Sequence, residues 1–516
     1  MLGATSIFLI NKYPDAMTKS DFLNKRPELQ IAAQGIFSRF SFQLAKEDPR
    51  ISAWRVSLQA LKERPLLGYG PENFSIGFNK FFDPSLPNFE TQDLSSPTNW
   101  WDRAHNIFLD IAIASGVPAL LAFLSFFGAL FIFLQKIKKS SPILALSAHT
   151  MQTTLLAYFM ANLFSFDTFS TYLLLSLATS YSLFIIFEYK KLSAPQTMLP
   201  KSLIPSFWLF IQNKQIIIML AIVFGSAFFV WKGAIKPILT TNQINLAYHE
   251  VTINRCDRAL IRMASLAKTP KNFLSAYTGM KYAEMLKKCG EKNPKERVAL
   301  AQRGIEITRE VATLRPTHIT NWLFLTGFAN LVLEAGQTGK IPQTSIDATL
   351  KEAYGSLETA RILSPKQQKT YVEWVKTDIL SQNYSRAKAH AEECVAINQA
   401  TGACWWFKGL AEIYLGRTEQ GLTDIETAAQ KGYYTQSLPS LQRLINVYIA
   451  TQNYPILAAT YLKLIELEPS NFQYHASLAM TYKEMGEPQK ARAEALRALE
   501  INPTLSEEVR EFLNEL

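Results

Sequence analysis

Residues 112–134 read AIASGVPALLAFLSFFGALFIFL and hold no ionisable side chain. As a helix rising 1.5 Å per residue, such a run is about 34 Å long, enough to cross the ~30 Å hydrocarbon core of a bilayer. Three more apolar runs follow, at about 143–164, 169–187 and 216–231, the last completed by adjoining residues. Only a helix or a closed barrel satisfies every backbone polar group inside lipid. The first half of the chain is therefore expected to be a set of about four membrane helices.

Charge gives these runs a direction. Lys136, Lys138 and Lys139 follow the first run, and Lys190, Lys191, Lys201 and Lys214 follow the third. By the positive-inside rule both connections are cytoplasmic. The connection between the second and third runs carries only Asp167, which fits the opposite side. Parity then places residues 11–105 and everything beyond about 236 outside the cytoplasm. The segment MLGATSIFLI is too short for a span and lacks the basic start of a signal peptide. It reads as the last turns of a longer helix, so the chain is expected to start late relative to larger relatives. The net charge of +10 sits largely beside the spans rather than in one cluster. No nucleic-acid partner is expected.

Beyond the spans the chain becomes polar and helix-periodic. NFQYHASLAMTYKEMGEPQKARAEALRALEINPT, from Asn471, has the tetratricopeptide pattern. Leu478, Ala479 and Tyr482 form the packing face of its first helix, Gly486 makes the turn, Ala491, Ala495 and Ala498 face back from the second helix, and Pro503 ends the unit. Thirty-four residues earlier, Leu444, Tyr448, Leu457, Tyr461, Leu464 and Pro469 stand at matching positions. Looser units keep Leu410, Ala411 and Tyr414, then Ala387 and Ala391, and an insertion GQTGKIPQTS interrupts an earlier one. Five or six units are expected, stacked because one helix pair cannot bury its own face. Such an array offers a surface to a protein partner, or packs on its own membrane part. The four cysteines all lie in this half, with no zinc-type spacing and no metal site expected. Cys394 and Cys404 lie close if their helices are consecutive and antiparallel, and Cys256 and Cys289 can pair likewise. Free buried thiols are the alternative.

The remaining stretch, about 46–105, follows neither pattern. In DPRISAWRVSLQALKERPLLGYGPENF, Ile51, Trp54, Leu58 and Leu61 lie on one face of an amphipathic helix. Pro65, Gly68, Gly70 and Pro71 then end it in tight turns. GYG lacks the spacing of a phosphate loop and no strand precedes it, which excludes a dinucleotide fingerprint. Arg50, Arg55, Arg64 and Arg103 are of a type that binds phosphate oxygens, and equally of a type that forms surface ion pairs. His105, in WWDRAHNIFLD, either caps a helix, hydrogen-bonds at the interface or accepts a proton. Asp110 stands close enough in sequence to orient it.

Taken together, Arg50 and Trp54 in R-x-x-x-W, then RPLLGYGPENF, then RAHNIFLD with Gly116 eleven positions after His105, resemble the C-terminal part of the O-antigen ligase/polymerase superfamily. The resemblance covers about residues 45–190. It implies a polytopic, metal-independent, inverting glycosyltransferase of the bacterial cytoplasmic membrane that needs no cofactor. Such an enzyme moves glycan from an undecaprenyl-diphosphate carrier to a hydroxyl of a glycan, lipid or protein acceptor on the extracytoplasmic side. It also implies that Arg50 binds the diphosphate, with Arg55 and Arg103 as neighbours, and that His105 assists proton removal from the acceptor. Trp54, Gly68, Gly70, Asn106, Asp110 and Gly116 are the accompanying structural positions. Family members carry further spans before this loop. The chain is thus expected to be a fragment, one product of a split gene, or an inactive descendant. The expected architecture is all-α: a loop region at 1–105, a transmembrane domain at 106–236 and a tetratricopeptide-like solenoid at 237–516. The alternative function is a non-catalytic, membrane-anchored scaffold in the cell envelope. A transporter fits poorly, since the spans hold few ionisable residues.

Overall fold

The computed structural model of the chain describes residues 49–85, 101–193 and 214–516, apart from 338 and 340. The expectations for 1–10, for the loop up to 48, for Trp100 and for Lys201 lie outside the described residues. Every regular element described is helical, in keeping with the all-α expectation. The chain divides into two compact units, one holding the described residues up to Met285 with Leu314–His318, the other Leu286–Thr313 and Ile319–Leu516.

The first unit begins with α1 (Pro49–Glu63) and α2 (Phe74–Lys80). Then come α3 (Ile107–Ser140), α4 (Pro142–Asn162) and α5 (Phe169–Ser193). These three pack around Leu130, Leu134, Ile137, Ala148, Leu155 and Ile185. Their other faces leave Leu121, Phe126, Ile132, Leu146, Leu174 and Phe184 exposed. An apolar surface this extensive is costly in water and suited to lipid. α6 (Lys214–Val230) runs through a π-helical turn at Trp231–Ile235 into α7 (Lys236–Thr252). Helices thus stand at all four apolar runs. Among the described residues two of them, Ile107–Ser140 and Ser170–Ser193, are long and apolar enough to cross a membrane. α4 falls short of that apolarity because His149, Thr150, Gln152, Thr153 and Thr154 interrupt it. Gln152 donates to Phe131 O and to Gln135 Oε1, and the threonine hydroxyls donate to carbonyls one turn back, so these groups are satisfied within the bundle.

α8 (Cys256–Ala267), α9 (Ser275–Lys292) and α10 (Arg297–Leu314) follow. Five helix pairs then succeed one another: α11 (Ile319–Gly336) with α12 (Gln343–Leu363), α13 (Gln368–Leu380) with α14 (Tyr384–Ile397), α15 (Gly402–Tyr414) with α16 (Thr418–Gln430), α17 (Leu438–Ala450) with α18 (Tyr454–Leu467), and α19 (Phe472–Glu484) with α20 (Pro488–Ile501). A last helix, α21 (Ser506–Asn514), covers the end of the array by packing Val509 on Ala479 and Ala495. Of the residues expected to face inward, Leu478, Ala479, Ala491, Ala495 and Ala498 are buried, as are Leu444, Tyr448, Leu457, Tyr461 and Leu464, while Tyr414 and Tyr482 are half-buried against the core. Cys394 on α14 and Cys404 on α15 are joined as a disulfide with Cα atoms 5.5 Å apart, and no cysteine is a free thiol.

Candidate functional site

The site is built where α1 and the turn after it meet the start of α3. Gly116 leaves helical geometry at φ 84°, ψ 170° inside α3. That break frees carbonyls which would otherwise accept within the helix. Ile113 O accepts from Tyr69 N at 2.7 Å and Ala114 O from Gly70 N at 2.9 Å, while Val117 N donates to Pro65 O at 2.7 Å. The RPLLGYG turn is thereby stitched, backbone to backbone, onto the kinked helix. Glycine is required on both sides of the seam. A Cβ on Gly68 would stand 2.3 Å from Ile113 O, and one on Gly116 2.1 Å from Leu66 O. The kink is sharp: Phe108 and Phe123 both touch the ring of Phe159, at 6.0 and 5.9 Å. On a straight helix their Cα atoms would lie about 22 Å apart.

Of the residues expected on the packing face of α1, Trp54 and Leu61 do pack against this core, but its fully buried positions lie one step round the helix. Ala53, Val56 and Ala60 are buried, whereas Leu58 is 49% exposed. Small side chains let the helix axes approach closely, and a leucine there would hold them apart. Trp54 packs at the edge of this core and donates its Nε1–H to Ala104 O at 2.8 Å. One turn earlier on α1, Arg50 donates Nη1–H to Phe164 O at 2.8 Å, and the Phe164 ring lies 5.8 Å from that of Trp54. The R-x-x-x-W spacing therefore ties one helix face both to the segment before His105 and to the α4–α5 connection.

His105 does not cap α3. Asn106 does, its Oδ1 accepting from Phe108 N at 3.0 Å and Leu109 N at 3.2 Å. Asp110 acts on the residue before His105: its Oδ1 accepts from Ala104 N at 2.7 Å. Ala104 is fully buried and held at both its N–H and its C=O. This clamp keeps His105 at φ 55°, the left-handed region that costs a non-glycine residue about 1–3 kcal/mol. The imidazole stands edge-on to Trp101 at 5.2 Å and to Phe166 at 5.0 Å. Its Nδ1 lies 3.2 Å from Arg103 O. A carbonyl can only accept, so this contact is a hydrogen bond when Nδ1 carries a proton; in the neutral ring that tautomer keeps the lone pair on Nε2.

The structure thus brings Arg50, Trp54, Ala104, His105 and the segment 164–167 together around one short stretch of backbone. Arg103 is engaged by Glu72 at 2.7 Å, and Glu72 itself sits at φ 62°. Arg55 is 65% exposed at the side chain and pairs at 3.9 Å with Asp83, away from the face that carries Arg50 and Trp54. Beside the seam, Tyr69 Oη donates to Glu63 Oε2 at 3.1 Å. Burial, with that bond second, pushes the Tyr69 phenol up to about 12. Lys80, 2.7 Å from Glu63, holds the Glu63 carboxyl below its ordinary range. Among the described residues no three His, Cys, Asp or Glu side chains converge as a metal site.

Residues 16–124 match the family described as O-antigen ligase. The ligase-type segment therefore includes Arg50, Trp54, the RPLLGYG turn, His105 and Gly116, but stops short of the α4–α5 connection that touches two of them. Residues 460–493 match the tetratricopeptide repeat family. No curated protein matches the chain. Among solved structures it is similar to a tetratricopeptide protein of Parabacteroides merdae, at 14% identity and a TM-score of 0.37, covering 53% of this chain and 97% of that one. It is also similar to a thermophilic one of Thermus thermophilus, at 15% identity and a TM-score of 0.30, covering 41% of this chain and 98% of that one. YrrB, titled a tetratricopeptide protein with an unusual peptide-binding site, gives 13% identity and a TM-score of 0.27, covering 40% of this chain and 98% of that one.

Proposed function

We propose that the chain is a membrane glycosyltransferase of the O-antigen ligase type, acting on the extracytoplasmic side of a bacterial cytoplasmic membrane. Its donor is a glycan on undecaprenyl diphosphate, and its acceptor is a hydroxyl of a glycan, lipid or protein. The ligase-family match supports the class of reaction. The carrying observation is the convergence of Arg50 and His105, 55 positions apart in sequence, on the two ends of the segment Phe164–Ser165–Phe166. The placement of lysines beside the apolar helices supports the topology, with 11–105 and the repeats outside the cytoplasm.

The chemistry requires one cation and one base. Cleaving the bond from the anomeric carbon to the diphosphate leaves negative charge on phosphate oxygens, which a guanidinium stabilises as it develops. Arg50 fills that role, with Arg103 beyond the same backbone segment; Arg55 is the more remote candidate. The incoming hydroxyl must lose its proton as it attacks, and in the neutral ring the Nδ1–H tautomer that bonds Arg103 O offers the Nε2 lone pair of His105 to take it. A single displacement inverts the anomeric centre. The tetratricopeptide array supports a protein partner, as a platform that positions an acceptor or a second envelope protein.

The test is glycan transfer by the full chain, in membranes, with Arg50→Ala and His105→Ala. General-base loss is expected to slow transfer about 10²–10⁴-fold, and loss of the charge-stabilising group about 10²–10³-fold. Wild-type transfer unaffected by both substitutions would overturn these assignments and leave the loop as a structural relic beside a scaffold.

A further inference from the structure

The connection between α4 and α5 contributes a group that the Arg50 and His105 pairing does not use. Asp167 follows directly on Phe166, whose ring stands against His105. One of its carboxylate oxygens, Oδ2, accepts from Tyr158 Oη at 2.6 Å. The other, Oδ1, is buried and has no hydrogen-bond partner. Tyr158 fixes the carboxylate, so Oδ1 is not free to swing towards a donor elsewhere. Leaving a buried acceptor unmade is costly, and more so for a charged one. The segment that carries it also supplies Phe164 O to Arg50 and the Phe166 ring to His105, so the residue is three and one positions from the two contacts that define the site.

We propose that Asp167 is a sugar-binding residue of this site, its Oδ1 accepting a hydrogen bond from a hydroxyl of the glycan. The proposal rests on the glycan-transfer reading. A sugar hydroxyl suits the position chemically. It is an uncharged donor, which a carboxylate prefers over the anionic diphosphate, and a carboxylate acceptor makes a bond roughly twice as strong as a neutral one. The roles then separate along the site: Arg50 takes the phosphate charge, His105 the proton, and Asp167 the sugar. The hydroxyl can come from the sugar on the carrier or from a sugar of the acceptor.

The experiment measures binding by the full chain in nanodiscs to three probes: undecaprenyl diphosphate alone, undecaprenyl diphosphate bearing one N-acetylhexosamine, and the free N-acetylhexosamine oligosaccharide without carrier. Wild type should bind the sugar-bearing carrier more tightly than the bare one. Asp167→Asn keeps the shape and removes the charge, and should lose roughly ten-fold in affinity wherever the sugar is read. Loss confined to the sugar-bearing carrier places Asp167 on the donor glycan, and loss confined to the free oligosaccharide places it on the acceptor. Arg50→Ala should instead weaken both carriers by the same factor. A melting temperature for Asp167→Asn equal to or above that of wild type excludes a merely structural role, since the asparagine can still accept from Tyr158 and no longer buries a carboxylate oxygen without a partner. If Asp167→Asn binds all three probes as wild type does, the assignment of Asp167 is wrong while the glycosyltransferase reading stands. If wild type binds neither carrier nor the oligosaccharide, both are wrong.

Discussion

Gly116→Ala tests whether the seam between the RPLLGYG turn and α3 holds the site together. The backbone at φ 84°, ψ 170° lies in a region populated almost only by glycine. Forcing an alanine to stay there costs about 1–3 kcal/mol. The new methyl would also lie 2.1 Å from Leu66 O, 2.4 Å from Leu66 C and 2.9 Å from Leu67 N. All three are backbone atoms and cannot rotate away as a side-chain tip would, so overpacking adds about 1–3 kcal/mol. The escape is to part the turn from the helix, which forfeits the bonds of Tyr69 N, Gly70 N and Val117 N, each worth about 0.5–1.5 kcal/mol. By either route the local penalty is about 3 kcal/mol. Gly128→Ala, in the same helix, is the matched control: its Cβ meets nothing within 4 Å. Replacing a helical glycine in open space should be neutral or stabilise by up to about 1 kcal/mol. Amide hydrogen exchange over peptides covering 65–70 and 112–118 reads the seam directly. Gly116→Ala should speed exchange there about a hundred-fold, and Gly128→Ala should not. Equal protection in the two variants would show that the seam is not what closes this turn.

The repeat unit offers two independent checks. Trp406 is fully buried, stacks on Tyr433 at 5.2 Å between centroids, and leaves its Nε1–H without a hydrogen-bond partner. Trp406→Ala should cost about 3–5 kcal/mol in urea unfolding followed by circular dichroism, while Trp406→Phe, which also removes the unpaired donor, should cost well under half of that. Replacing both Cys394 and Cys404 by alanine opens a loop of sequence separation 10, for which chain entropy gives about 2–3 kcal/mol. Wild type and the double variant should therefore differ in urea midpoint without reductant.

What is legible in the sequence follows the range of the interactions. A repeat helix packs on its sequence neighbours, so Leu478, Ala479, Ala491 and Ala495 declare their buried face by spacing alone. The disulfide is accessible for the same reason, since Cys394 and Cys404 sit on successive helices. Apolar length places helices at the four runs, because the constraint acts on each segment separately. α1 defeats the same reasoning because its burial is decided by how closely another element approaches. Periodicity assigns Leu58 to the core, but a close approach selects Ala53, Val56 and Ala60 instead. The connection 164–167 is invisible as a site for a related reason: it is short, apolar at two of its four positions, and its bond to Arg50 spans 114 positions. Nothing local distinguishes a phenylalanine whose carbonyl holds an arginine from one that merely ends a helix.

Gly116 and His105 show how a spacing can carry more than either residue does. The glycine breaks α3 and turns its first turns aside, which exposes two carbonyls to the RPLLGYG turn. The same turned segment begins at Asn106, whose cap fixes where the helix starts, and Asp110 one turn later reaches back to Ala104 N. His105, between the clamped alanine and the cap, has no conformational freedom left except its ring. The left-handed backbone is the strained part, and the bonds of Trp54, Asn106 and Asp110 are what over-determine it. The eleven-residue interval is thus the distance from a strained histidine to the break that lets its supporting helix turn lie against α1. An insertion of one residue between His105 and Asp110 would rotate Asp110 by about 100° about the helix axis and release Ala104 N. The spacing is a register of hydrogen bonds, and the placement of His105 depends on that register being kept.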